Sequence, residues 1–271
     1  MEKASVAFLG PEEFGTAGIE VQKSRDYPER TANARPLAER EFSARPPDLS
    51  GPELKFCHAV IRKAEIAEGA RMKATDFDLS KEIRFNVQTG MTTFRENRLV
   101  LLDANSMGLL RQRVLETLGR EKARELFLKF GYQNGYADFL QMRLACQFDS
   151  EMDLLASGPV VHTWEGIVHA KPKEIRFDRH TGEFFFTGVW TNSYEAEQHL
   201  CFNEASDEPV CWTLTGYASG WCTAFFGKPL VALEPVCVGK GDDHCEWKIQ
   251  PESVWGKEAG PYLAAYKEFS V

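Results

Sequence analysis

The chain has 271 residues, enough for one large domain or a domain with a smaller module. Its 43% hydrophobic and 12% aromatic content can fill a substantial core and excludes wholesale disorder. A net charge of −8 excludes a non-specific grip on nucleic acid by this chain. No run of about 18 apolar residues marks a membrane span, and the first ten residues lack a secretory pattern, so the expectation is a cytoplasmic protein with no membrane partner. Seven cysteines, an odd count, favour free thiols or a metal site over a disulfide framework.

Residues 1–74 read as a poorly structured leader: RDYPERTANARPLAEREFSARPPDLSGPE is rich in Arg, Pro, Ala and Glu and lacks apolar periodicity. From Ile83, short alternating runs around Thr89-Gly90 and Glu96-Asn97 predict a hairpin or meander. Two helices follow, SMGLLRQRVLETLG and REKARELFLKFGYQNGYADFLQMRLAC, with Gly119 as the stop between them. In the second, Ala123, Leu126, Phe127, Phe130 and Tyr132 are expected on one broad face. VVHTWEGIVHAKPKEIRFD and EFFFTGVW read as strands joined by a turn at 179–182, and SYEAEQHLCF as a helix. Asp207, Glu208 and Pro209 signal the start of a helix over CWTLTGYASGWCTAFFG. PLVALEPVC and HCEWKIQ read as strands joined by the turn VGKGDDH, and WGKEAGPYLAAYKEF as the beginning of a helix that leaves the domain. The fold class is therefore α+β, with the folded part near residues 75–255.

The stretch EPVCVGKGDDHC concentrates the chemistry. Flanking strands bring Cys237 and Cys245 together across a turn that contains Gly239 and Gly241. Glu234 reaches the inside of that turn if the strand bends at Pro235. Cys211, at the start of the preceding helix, is the best candidate for a fourth ligand. Three thiolates and one carboxylate fill a tetrahedral zinc shell with no open position, which makes the site structural rather than catalytic. His244 is a rival ligand, but on a strand it points away from the face that carries Cys245. A redox pair and plain buried cysteines are the other two readings. Cys201 and Cys222 are expected in the core, and Cys57 and Cys146 have no assigned role.

Five motifs occur together: GYQ-x-G, GP-x-x-H, W-x-x-S-x-E, PVCW-x-L-x-GYA-x-G and GDD-x-C. Over residues 80–260 the chain resembles the sensory domain of XylR/DmpR-type activators, sigma-54-dependent regulators of aromatic catabolism whose sensor contains a vinyl-4-reductase module. The resemblance implies a structural zinc ion on Cys211, Glu234, Cys237 and Cys245. It implies that His162 and Trp190 hold the hydroxyl of a phenolic effector, since an imidazole and an indole N–H together satisfy a buried hydroxyl. Leu155, Gly188 and Ala232 stand where phenol sensors of the family carry aromatic side chains, so a pocket larger than phenol needs is expected. Among Phe184, Phe186, Tyr217, Phe225 and Phe226, able to repack around such a pocket, Phe186 and Tyr217 join the candidate ligand contacts.

By the same resemblance, residues 75–150 form the N-terminal hairpin and helices through which the domain pairs as a homodimer. Residues 151–253 form the ligand- and zinc-binding module, and 254–271 start a linker helix. The family's further partners are an AAA+ ATPase, which the effector releases from repression, and sigma-54 RNA polymerase. No G-x-x-x-x-G-K-[ST] motif occurs here, so this chain is expected neither to hydrolyse ATP nor to bind DNA. It is not expected to be an enzyme, because no nucleophile–base pair stands out. A vinyl-4-reductase-type enzyme and a ligand-free zinc scaffold are the alternatives.

Overall fold

The computed structural model describes residues 71–94 and 97–266. The leader expected over 1–74 lies outside them except for its last four residues, and these are tied in. Met72 donates its N–H to the Gln147 carbonyl and accepts from Asp149 N, both at 2.9 Å.

Strands β1 (Ile83–Asn86), β2 (Met91–Phe94) and β3 (Asn97–Leu99) form the expected antiparallel meander. Its first turn closes on Gly90 at φ 67°, with Asn86 Oδ1 accepting from Thr89 N at 3.1 Å. Helix α1 (Ala104–Leu118) starts on the Asp103 carboxylate, which accepts from Ser106 N at 2.8 Å. Gly119, at φ 76°, ends α1 and begins α2 (Arg120–Ala145), as its position predicts. Helix α3 (Glu151–Trp164) follows; then come β4 (His169–Asp178), β5 (Glu183–Thr191), α4 (Tyr194–Phe202), α5 (Trp212–Phe226), β6 (Leu230–Val236) and β7 (Cys245–Pro251). The second sheet is antiparallel in the order β4-β5-β7-β6. The architecture is mixed helix and sheet, as expected.

Cys222 is buried as expected, but Cys201 is exposed on α4 and not in the core. Three further expectations need correction. VVHTW is helical, not a strand. Ser150 caps α3 by accepting from Asp153 N at 3.1 Å, and Glu151 and Asp153 lie in its first turn. Pro159 within α3 has no N–H to offer the Leu155 carbonyl, and Trp221 Nε1 donates to that carbonyl instead at 3.2 Å. A tertiary bond thus replaces the missing rung, which lets the β-branched run stay helical. Second, Leu126 and Phe130 are exposed, because the buried face of α2 runs through Leu128, Gly131, Gly135, Phe139 and Met142. Third, the segment after Trp255 does not depart from the domain up to Tyr266. Helix α6 (Gly260–Tyr266) packs on α2, with Tyr266 tilted over Tyr132 at 4.8 Å, and Trp255 Nε1 donates to the Val231 carbonyl at 2.8 Å.

The buried face of α2 meets α5 backbone to backbone. A Cβ on Gly131 or Gly135 would collide with the carbonyls of Thr213 and Tyr217. One on Gly216 or Gly220 would collide with those of Leu128 and Tyr132. Two four-residue glycine spacings therefore interlock, and neither helix can yield without moving main chain. Gly135→Ala is expected to cost about 1–3 kcal/mol or more through overpacking, read as a lower urea midpoint. An unchanged midpoint would show that the helices part freely and would refute this contact.

Candidate functional site

Cys211 N-caps α5 in position though not by its side chain. Pro235 disrupts β6, whose register with β7 slips between Leu233 and Val236, and this bulge turns Glu234 inward. Cys237 and Cys245 flank the turn, where Gly241 adopts φ 95°. One ligand atom from each of Cys211, Glu234, Cys237 and Cys245 lies within 4.8 Å of the others, and all four residues are buried. Cys211 Sγ and Cys245 Sγ are 4.0 Å apart and free. That is far beyond a disulfide and close to the edge of about 3.8 Å that a tetrahedron with zinc–sulfur bonds of about 2.3 Å requires.

The surroundings fit an ion. Glu234 Oε1 is buried without a hydrogen-bond partner, while Oε2 accepts from Cys211 N at 3.2 Å. Backbone N–H groups of Val210 and Val238 donate to Cys237 and Cys245 at 3.5 and 3.3 Å, and Ser193 Oγ lies 3.1 Å from Cys211 Sγ. Burial pushes the Cys211 thiol and the Glu234 carboxyl up, whereas hydrogen bonds from Cys211 and Cys245 pull Cys237 down. Four acidic groups this close cannot all ionise by themselves, and a divalent cation at their centre removes that conflict. His244 takes no part: it is paired with Asp243 and Glu246 outside the cluster.

A buried Arg111–Glu195 pair holds the same region. Arg111 Nη1 donates to Glu195 Oε1 at 2.8 Å and Nη2 to the Val210 carbonyl at 2.6 Å. Glu195 accepts from Thr213 N and Leu214 N at 3.1 and 3.0 Å, so it caps α5 from outside that helix. The guanidinium stacks 4.2 Å over the Trp212 ring. Sequence reading assigned neither residue a role. The W-x-x-S-x-E motif was the available signal, since it contains both Ser193 and Glu195. A second signal is that Glu-Pro-Val-Cys occurs twice, at 208–211 and 234–237, each copy bringing one thiol to the cluster.

Between α3, α5 and the second sheet lies an apolar cavity of about 30 Å³, bordered by His162, Phe186, Trp190, Tyr217, Trp221 and Trp247 among others. His162 stacks on Tyr217 with ring centroids 3.7 Å apart. Its two ring nitrogens meet no hydrogen-bond partner among the described residues. Burial holds its pKa down at about 3, so the ring is neutral at physiological pH. Tyr217 Oη faces the Asp138 carboxyl without reaching hydrogen-bond geometry.

His162, Trp190, Phe186 and Tyr217 thus meet at one cavity, although His162 comes from a helix and not from a strand. Leu155, Gly188 and Ala232 are buried but do not border it. At Gly188 the small residue leaves no open volume. The space over Gly188 is filled by the indole of Trp247, its partner across β5 and β7.

Residues 78–178 match the family described as activator of aromatic catabolism, and residues 190–251 match the vinyl-4-reductase domain family. The phenol regulator MopR of Acinetobacter guillouiae is 34% identical over 178 residues, and the transcriptional regulatory protein XylR of Pseudomonas putida is 31% identical over 181. Each alignment covers 66% of this chain and 32% of the relative, so the chain spans about a third of their length. The crystal structure of the phenol-responsive sensory domain of the transcription activator PoxR with phenol superposes with a TM-score of 0.66 at 32% identity, over 71% of this chain and 94% of that one. These relatives are regulators and a sensory domain of a transcription activator. Among the described residues no helix is long and apolar enough to cross a membrane.

Metal analysis of the purified chain is expected to find one tightly held ion. Cys245→Ala should lose it and lower the thermal midpoint by roughly 10 °C or more, the shift that several kcal/mol make in a domain of this size. Full metal content with an unchanged midpoint would dismiss the cluster as a metal site.

Proposed function

The chain belongs to the family of sensory domains of activators of aromatic catabolism, and from that premise we propose that it binds an aromatic effector, above all a phenol, in the cavity around His162 and Trp190. One observation carries the reading. His162 is 4% exposed, neutral, and without a hydrogen-bond partner among the described residues, in a cavity bordered mostly by aromatic and aliphatic side chains. A buried polar ring left unpaired is costly, and a phenolic hydroxyl answers it by donating to or accepting from imidazole. The Trp190 N–H, likewise without a protein acceptor among the described residues, supplies a donor to the same oxygen.

At about 30 Å³ the cavity is far smaller than the ~150 Å³ that accommodates benzene in an engineered core. An effector must therefore move the walls. It binds the expanded state in preference to the contracted one, and that differential affinity is what lets a ligand act as a signal. Tyr217, stacked on His162, belongs to α5 and so carries the displacement to the glycine seam with α2. In the whole protein this shift relieves repression of an AAA+ ATPase that works with sigma-54 RNA polymerase.

The metal in this reading is zinc, because three thiolates and one carboxylate are a soft, closed, four-coordinate set. Bound there, it supplies structural cross-linking and no chemistry, joining the start of α5 to the facing ends of β6 and β7. A homodimer completes the reading. Phe85, Val87, Leu101 and Leu102, in or next to the first sheet, are 62–85% exposed, and Leu109 and Leu110 of α1 are about half exposed. Such clustered apolar exposure is the mark of an interaction surface.

His162→Ala is expected to weaken phenol binding about 5- to 150-fold, the equivalent of about 1–3 kcal/mol, in calorimetric titration, with toluene binding and metal content unchanged. Undiminished phenol affinity would remove His162 from the site. Absence of heat from phenol, methylphenol and toluene alike would overturn the sensor reading.

A further inference from the structure

We propose that Trp247 is a second polar contact of this cavity, so that the preferred effector is a phenol whose ring also carries a hydrogen-bond acceptor. The inference rests on the effector reading above and names the ligand class more closely.

The six tryptophans of the chain divide into two sets. Four donate their indole N–H to a backbone carbonyl: Trp164 to Phe77 at 3.0 Å, Trp212 to Pro209 at 2.8 Å, Trp221 to Leu155 at 3.2 Å and Trp255 to Val231 at 2.8 Å. The two without an acceptor among the described residues, Trp190 and Trp247, both border the cavity. Trp190 is accounted for by the phenolic hydroxyl, whereas Trp247 is not. Its side chain is 2% exposed, its Nε1 is fully buried without a partner among the described residues, and a buried donor left unpaired is a standing cost to the fold.

The fold nonetheless makes room for this indole. Gly188 stands opposite it on β5, where any Cβ would collide with the ring. Phe186 packs edge-on against it at 4.6 Å, and Trp190 lies 6.0 Å away. Neighbours on both sides therefore hold the indole in place; beside the His162 ring and the buried, unpartnered Tyr217 hydroxyl, the cavity is bordered by two indoles whose N–H groups have no acceptor among the described residues. A ligand that offers one oxygen satisfies only one of them. A ligand with a hydroxyl and an uncharged acceptor such as a methoxy, nitro or carbonyl substituent satisfies both. A carboxylate is excluded, because among the described residues no cation borders the cavity to balance a buried charge.

Methoxyphenols and ethylphenols have the same shape and differ by one acceptor oxygen. Calorimetric titration of the full chain with the three isomers of each is expected to give at least one methoxyphenol a preference of about tenfold over its ethyl counterpart, the worth of one hydrogen bond. Trp247→Phe, which removes the N–H and keeps a ring, should abolish that preference, so that each methoxyphenol and its ethyl counterpart bind the variant alike. A preference that survives in Trp247→Phe would overturn the proposal, as would its absence from every isomer pair in the unmodified chain. The second comparison needs no variant, so a Trp247→Phe chain that fails to fold leaves the test intact. Binding of phenol and ethylphenol without methoxyphenol preference would sink this inference alone, whereas no binding of any phenol would sink the effector reading with it.

Discussion

The domain is organised by one contact in which two helix backbones touch. Gly131 and Gly135 of α2 and Gly216 and Gly220 of α5 remove every side chain from the crossing, and each glycine lies against a carbonyl of the other helix. Such a seam has no adjustable atoms, because a closely packed interior transmits displacement instead of absorbing it. What α5 carries is therefore placed with respect to α2. Cys211 precedes its first turn, and Tyr217 stands at the seam. Ser219 Oγ accepts from the Ala232 N–H at 2.9 Å and lies 3.3 Å from the Tyr266 hydroxyl. The cysteine–glutamate cluster, the cavity wall and the last described helix are all referred to the same axis.

The start of α5 is the most polar point in this core. Arg111 and Glu195 are 4% and 1% exposed, and burial alone pushes the Glu195 carboxyl up. An isolated ion pair at such depth often fails to recover its desolvation cost. Here the carboxylate also accepts two N–H bonds at a helix N-terminus, and the guanidinium covers the Val210 carbonyl and the Trp212 ring. The pair thus ties α1, α4 and α5 together beside Cys211. A metal ion would add a second tie to the same end of α5, from β6 and β7. Two independent anchors at one terminus define its position better than either would.

The cavity inverts the usual rule for buried polar groups. Elsewhere in the core a buried indole has a carbonyl, and even the carbonyl orphaned by Pro159 is satisfied by Trp221. Around the cavity that care is withheld: His162, Trp190 and Trp247 all border it and none has a hydrogen-bond partner among the described residues. A fold optimised for stability alone would have removed them. Gly158 seats Trp221, whose indole a Cβ there would meet at 2.7 Å, and Gly188 seats Trp247 in the same way. Two glycines thus frame the aromatic walls of one small, apolar space.

Much of this was legible in the residues themselves. Alternation marked the strands, Gly119 marked the boundary between α1 and α2, and Cys211, Glu234, Cys237 and Cys245 were identifiable because ligand chemistry depends on residue type and on local turns. His162 and Trp190 were singled out through motif resemblance, and Phe186 and Tyr217 as aromatic side chains able to pack around the same space. Local signals misled where a distant partner decided the outcome. Val160–Trp164 has strand composition and is helical, because the Ser150 cap and the Trp221 hydrogen bond stabilise α3 around Pro159. Leu126 and Phe130 carry apolar side chains and are exposed, because the glycines of α2 claim the buried face. Small side chains at Leu155, Gly188 and Ala232 suggested empty volume, yet volume belongs to a neighbourhood and not to a position. Trp247, 59 residues after Gly188 in the chain and opposite it in the sheet, fills the space that the glycine leaves. Composition and spacing determine what each residue can do; only the packed structure decides which of those capacities remain unpaired.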